Sequence, residues 1–188
     1  MNYKKYKNYF IDSLSLVNED EIEQLIQLIL TKYDEDKNIF IIGNGGSASN
    51  ASHFAQDLAK GVRKDVNTNK RIRAISLVDN VAFITALGND DGYNTIFEQQ
   101  LRTYANNGDV LIAISGSGNS PNIIKAADWA NNNDVLTVGI TGYDGGVLKQ
   151  KCKRSIHVAL KDMPTIESIH VFILHYVIIR LIEINGCR

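Results

Sequence analysis

Apolar residues gather into short runs at 39–42 (IFII), 72–78, 110–114 (VLIAI), 135–140 and, more weakly, 155–160. Each is too short for a globular helix, and the strongest lack the polar alternation of a one-sided strand, so they predict strands buried on both faces. Helical spacing fills the intervals. Over 12–33 the apolar stripe is Ile22, Leu25, Ile26, Leu28 and Ile29, with Asn18 or Asp20 as N-cap. Further helices are predicted over 47–60, 96–105, 121–131 (with Pro121 in its first turn) and 165–184, and a short helix or turn over 81–87. Segments 34–38 and 61–70 are polar breaks, the second basic. Strands alternating with helices predict an α/β fold, a three-layer αβα sandwich around a five-stranded parallel sheet. With no repeat, low-complexity stretch or linker, 1–188 reads as one domain, a helical segment over 1–36 and the core over 37–188.

Glycine- and serine-rich turns follow the strands, where open α/β sheets bind ligands. The first, Gly43-Asn44-Gly45-Gly46-Ser47, leads into a helix carrying His53 and Asp57. Glycine allows close backbone approach, a helix start favours negative charge, and residues four apart share a helical face. The turn formally satisfies the dinucleotide pattern G-x-G-x-x-G/A. The acidic partner about twenty residues on is wanting, since Asp65 lies in the polar loop and Asp79 comes much later, so no nucleotide cofactor is expected. The third turn offers Ser115, Ser117 and Ser120 before a proline-started helix, with no lysine. Hydroxyls and backbone N–H groups in that arrangement suit a phosphate monoester rather than a nucleoside triphosphate. The plainer alternative is that the serines cap a helix and shape a turn.

Composition narrows the partners. The 188 residues are 44% hydrophobic and 22% charged, with formal net charge −1, which gives no reason to expect nucleic acid or an acidic membrane surface. Cys152 and Cys187 fit no metal-finger spacing and read as free thiols of a reducing compartment, with a bridge left open. The N-terminus has charge but no apolar stretch behind it, and the apolar segment 166–184 is interrupted by Glu167, His170, His175, Arg180 and Glu183. Neither a signal peptide nor a membrane span is expected, and the cytoplasm is the default. Val171, Phe172, Ile173, Leu174, Val177, Ile178, Ile179, Leu181 and Ile182 surround that last helix rather than striping it. A second subunit is expected to supply part of its cover.

Taken in order, GNGGSAS…HFAQDL, GND with GY shortly after, ISGSGNSPNIIKA, TGYDGG and IESIHVFILH resemble the sugar isomerase (SIS) domain family, most closely its phosphoheptose isomerases, from about residue 12 onward. No one motif decides this; their order and spacing do. The resemblance implies the flavodoxin-like SIS fold and an aldose–ketose isomerase that interconverts sedoheptulose 7-phosphate and D-glycero-D-manno-heptose 7-phosphate through an enediol. It implies phosphate binding by Ser115, Gly116, Ser117 and Ser120, and a sugar site lined by Asn44, Gly45, Gly46, Asn89, Asp90 and Glu167. It implies a zinc set of His53, Asp57, Glu167 and His175, with Asp57 and His175 as the catalytic pair, and a homotetramer. Three positions depart from the family pattern: Asp57 stands for the usual Glu, Glu167 for Gln, and Gly116 for Thr.

Helix geometry bears on the metal set. Glu167 and His175, eight residues apart, stand about 80° round and about 12 Å along a regular helix. One ion joins them only if both side chains stretch, the first turn is irregular, or two subunits contribute. As plain readings, Glu167 complements a helix dipole and His175 is a bonded core histidine. His157 and His170 read as structural. In the expected reaction Asp57 is the carbon base, His175 the opposed acid/base, and His53 orients a zinc ion or substrate oxygen. The alternative from another class is a non-catalytic sugar-phosphate-binding regulator on the same fold, of the replication-initiation type, against which His175 argues. An aminosugar-phosphate isomerase is a second alternative.

Overall fold

The computed structural model describes residues 1–63, 65–67 and 69–184. Strands β1 (Asn38–Gly43), β2 (Arg73–Ser76), β3 (Val110–Ser115), β4 (Leu136–Thr141) and β5 (Arg154–His157) form one parallel sheet in the order β2-β1-β3-β4-β5. Ile41 registers with Ile112 and Ile112 with Val138. The helices are α1 (Tyr3–Ser13), α2 (Glu19–Asp34), α3 (Gly46–Gln56), α4 (Val81–Asp90), α5 (Ile96–Tyr104), α6 (Pro121–Asn132), α7 (Gly146–Lys151) and α8 (Met163–Ile184).

The period-2 geometry of a strand explains the unbroken apolar runs. On β1, Ile39 and Ile41 enter a core made with α2, α3 and α8, while Phe40 and Ile42 enter a second core with α5, α6 and α7. The sandwich is therefore the one the pattern predicted. All five stripe residues of α2 are buried. The chain leaves β1 toward one face through α3 and leaves β3 toward the other through α6, so the crevice between the two turns opens at the carboxyl ends of these neighbouring strands.

Several boundaries differ. The helix expected over 12–33 is split. Asn2 caps α1 at Lys5 N, a 3₁₀ turn follows at Leu14–Leu16, Val17 is extended, and Asn18 caps α2 at Asp20 N. An asparagine that accepts from the backbone ahead of it starts a helix more readily than it continues one. The edge strand β2 is shorter than 72–78, and its Ile75 stays 40% exposed. The last strand ends at His157 rather than 160 because Leu160 turns back to accept from Tyr143 N. The short α7, GVLKQK, shows no apolar stripe and was not predicted. Cys152 is a free thiol whose pKa burial pushes up to about 11, which suits a structural cysteine. Cys187 lies outside the described residues.

Helix α8 is long and apolar enough, with mean hydropathy 1.6, to cross a membrane by those measures, yet half of that window is buried in the protein. Ile166, Ile169, Ile173, Leu174, Val177 and Leu181 face the core, whereas Phe172, Tyr176 and Ile179 are exposed. His170 fixes its depth. Its Nε2 donates to Thr141 O at 3.2 Å, and Nδ1 has no partner among the described residues. Burial lowers its pKa to about 4, so the ring is neutral. His157 is bound nearby, Nδ1 to Thr141 Oγ1 at 3.0 Å and its N–H donating to Glu21 Oε2, with burial the largest cause of its lowered pKa.

Candidate functional site

Helices α3 and α8 pack side by side, and His53, Asp57, Glu167 and His175 are strung along their seam. At its far end His53, Asp57 and His175 come together. Asp57 Oδ2 stands 3.3 Å from His53 Nε2 and 3.9 Å from His175 Nε2. The two imidazoles meet edge to face with centroids 4.9 Å apart. One ligand atom from each residue lies within 4.8 Å of the others, a spacing that admits a metal ion. The helix carrying the first two widens to a π turn at Asp57–Gly61, a local expansion often found at functional sites. Both imidazoles are about half exposed and the carboxylate 22% exposed, so within one chain this end faces outward.

The near end is a cavity of about 130 Å³ lined by Asn44, Ser47, Ser115, Gly116, Ser117, Ser120, Met163 and Glu167. Its walls are shaped by backbone. Ser115 Oγ accepts from Gly118 N and Ser117 Oγ from Asn119 N, leaving both hydroxyl protons free to donate. Ser120 is the N-cap of α6 but makes no capping bond, so its hydroxyl also remains free, and Pro121 takes the first helical position. A second loop braces the first: Gly142 N donates to Gly116 O, Leu148 N to Gly118 O, and Val147 N to Asn119 Oδ1. Gly118 sits at φ +65°, and a Cβ there would collide with Gly145 O. Free hydroxyls at a helix N-terminus, with no lysine or arginine in the lining, can hold a phosphate by hydrogen bonds.

Two predicted groupings come apart. Glu167 does not join the His53–Asp57–His175 cluster. Its carboxylate lies over Gly46, where an added Cβ would stand 2.5 Å from Oε2, and it lines the serine cavity. The regular rise of α8 keeps it a full two turns from His175. Asn89 and Asp90 do not line that cavity either. Helix α4 runs through Gly88 and ends on them, exposed, with Asn89 Nδ2 bonded to Asp90 Oδ1 at 2.7 Å. Gly45, at φ +54°, is the N-cap of α3.

Sequence reasoning missed three side chains. Tyr93 O–H donates to Asn44 Oδ1 at 2.9 Å; it lies just past the GND turn, inside the GY dipeptide. Asn122, 1% exposed, exchanges two hydrogen bonds with Asn44, each 2.9 Å. Asn119 fastens the serine loop through Ser117 O and Val147 N. The proximity of Asn122 to Pro121 and the serines was a signal, but its partner lies 78 positions away.

Comparison with known proteins fits this geometry. The SIS domain profile matches residues 2–142. The phosphoheptose isomerase of Fusobacterium nucleatum is 36% identical over 177 residues, covering 92% of this chain and 89% of that protein. That of Clostridium acetobutylicum is 36% identical over 158 residues, 84% and 79% of the two chains. Among solved structures, a phosphoheptose isomerase from Francisella tularensis superposes with TM-score 0.85 at 26% identity, over 97% of this chain and 100% of that one. One from Neisseria gonorrhoeae gives TM-score 0.80 at 29% identity, over 95% and 97%. The chain belongs to the SIS domain family, on the side of its phosphoheptose isomerases.

Proposed function

We propose that the protein is an aldose–ketose isomerase of sugar phosphates, converting sedoheptulose 7-phosphate to D-glycero-D-manno-heptose 7-phosphate. The observation that carries this is one seam with two unlike ends, a hydroxyl-lined anion cavity and a carboxylate between two imidazoles. Glu167 and His175 mark those ends, about 12 Å apart along the helix. A substrate that fills both must carry its phosphate far from its reacting carbons, as a 7-phosphate with its carbonyl at C2 does.

Ser115, Ser117, Ser120 and the α6 N-terminus would hold the phosphate and so fix the chain along the seam. Asp57 takes the proton from C1 of the open-chain ketose while His175 protonates the C2 carbonyl oxygen, giving the enediol. His175 then accepts the proton of the C1 hydroxyl, and Asp57 returns its own to C2, leaving the aldose. His53 holds the shared Asp57 oxygen from the other side.

Two imidazoles and a carboxylate suit zinc, which commonly takes three protein ligands in catalytic sites. We assign it to His53, Asp57 and His175, with Glu167 left to the sugar. A bound zinc would polarise the substrate oxygens. The exposure of the cluster and of Phe172, Tyr176 and Ile179 supports closure by further copies, as a homotetramer.

Purified protein offered a panel of ketose phosphates, with and without chelator, should form aldose only from long-chain substrates. No aldose from sedoheptulose 7-phosphate would overturn the reading. His53→Ala should lose bound zinc by elemental analysis; retention at one per chain would remove the ligand assignment.

A further inference from the structure

Asn44 of the glycine turn lines the cavity beside Ser47, and its amide is heavily engaged. The polarity of the network is set from the backbone. Ile123 N donates to Asn122 Oδ1 at 3.0 Å, and a backbone N–H can only donate, so the Asn122 oxygen faces α6. The same oxygen accepts from Asn44 Nδ2, which turns the Asn44 oxygen toward Asn122 Nδ2. Tyr93 O–H supplies a second donor to that oxygen. A carbonyl oxygen has two lone pairs, and an amide nitrogen two protons. Asn44 Oδ1 is therefore saturated, and one proton of Asn44 Nδ2 remains.

We propose that Asn122 and Tyr93 are positioning residues that make Asn44 a one-way donor in the sugar-phosphate cavity. Asn44 gives one N–H to a substrate oxygen and accepts nothing from a substrate hydroxyl. The inference rests on the sugar-phosphate reading for its ligand, but the polarity itself comes from the hydrogen bonds alone. Asn122 is buried and cannot reorient, because its oxygen would lose Ile123 N and Asn44 together. Tyr93 lies on a 3₁₀ turn (Tyr93–Thr95) and is 57% exposed, so its hydroxyl can be removed without opening the core.

The test pairs kinetics with the side-chain amide resonances of ¹⁵N-labelled protein. Asn122→Asp keeps both acceptor contacts but cannot donate to Asn44 Oδ1; KM for sedoheptulose 7-phosphate should rise about tenfold with kcat within twofold. Asn122→Ser, smaller and uncharged, should raise KM less than Asn122→Asp does. Tyr93→Phe should raise KM about threefold and shift the Asn44 amide resonance with the melting temperature unchanged. Inorganic phosphate should shift one and the same Asn44 amide proton in the wild type and in Tyr93→Phe, because the other stays bonded to Asn122 Oδ1. An Asn44 resonance unmoved by Tyr93→Phe, or an unchanged KM in folded Asn122→Asp, overturns the proposal. A wild type that isomerises no heptulose phosphate overturns the substrate reading instead, while the spectra still decide the polarity.

Discussion

The two ends of the α3–α8 seam are made of different material. The serine end is backbone, with loop braced on loop, a proline-started helix and glycine positions that admit no side chain. The far end is three side chains meeting in the open, two of them half exposed. Backbone fixed by reciprocal hydrogen bonds is preorganised and tolerates little change, whereas side chains on one helical face can be exchanged without disturbing the fold. Substitution should thus separate binding from reaction cleanly.

The largest effect is expected from Asp57→Asn. If Asp57 is the carbon base as proposed, its loss should lower kcat about 10³-fold with little change in KM or stability. A kcat within tenfold of wild type would place the chemistry elsewhere. Next comes His170, which sets the depth of the helix common to both ends. Its pKa is about 4 folded, against 6.5 in the unfolded chain, so the unfolded state binds more protons over that interval. The stability it contributes is present above pH 6.5 and is lost as pH falls toward 4, by about 3 kcal/mol in all. Urea titrations should show this limb in the wild type and its absence in His170→Gln. Gly118→Ala should cost about 2–3 kcal/mol by the same titrations, because positive φ and the Gly145 carbonyl both oppose a Cβ. Smallest is Ser120→Ala, expected to raise KM about fivefold at constant kcat and constant stability. A fall in kcat instead would mean that the two ends are not separable.

What the sequence displayed was set by local physics. The runs IFII and VLIAI placed the two central strands, since a strand buried on both faces has no polar positions to hide. His53 and Asp57, four apart on one helix, announced their own pairing. Tyr93 and Asn122 did not, because they act through Asn44, which only the folded chain brings to them. Asn89 and Asp90 read as a turn from Gly88-Asn89-Asp90-Asp91-Gly92, yet α4 absorbed Gly88, the preceding apolar turn outweighing the cost of one helical glycine. Placing Glu167 required the structure: its carboxylate lies over a glycine that gives no sign in sequence of what covers it.

Helix α8 follows every other described element along the chain, and His175 lies past its middle. A polypeptide emerging from the ribosome completes the sheet and the braced serine loop before this helix is available to dock, at roughly 5–20 residues per second. A nascent chain therefore presents the serine hydroxyls before Met163 and Glu167 can close over them and before His175 is in place. Its newly made sheet also stays uncovered on the α8 side until the last helix arrives, the interval in which a folding assistant would find apolar surface to hold.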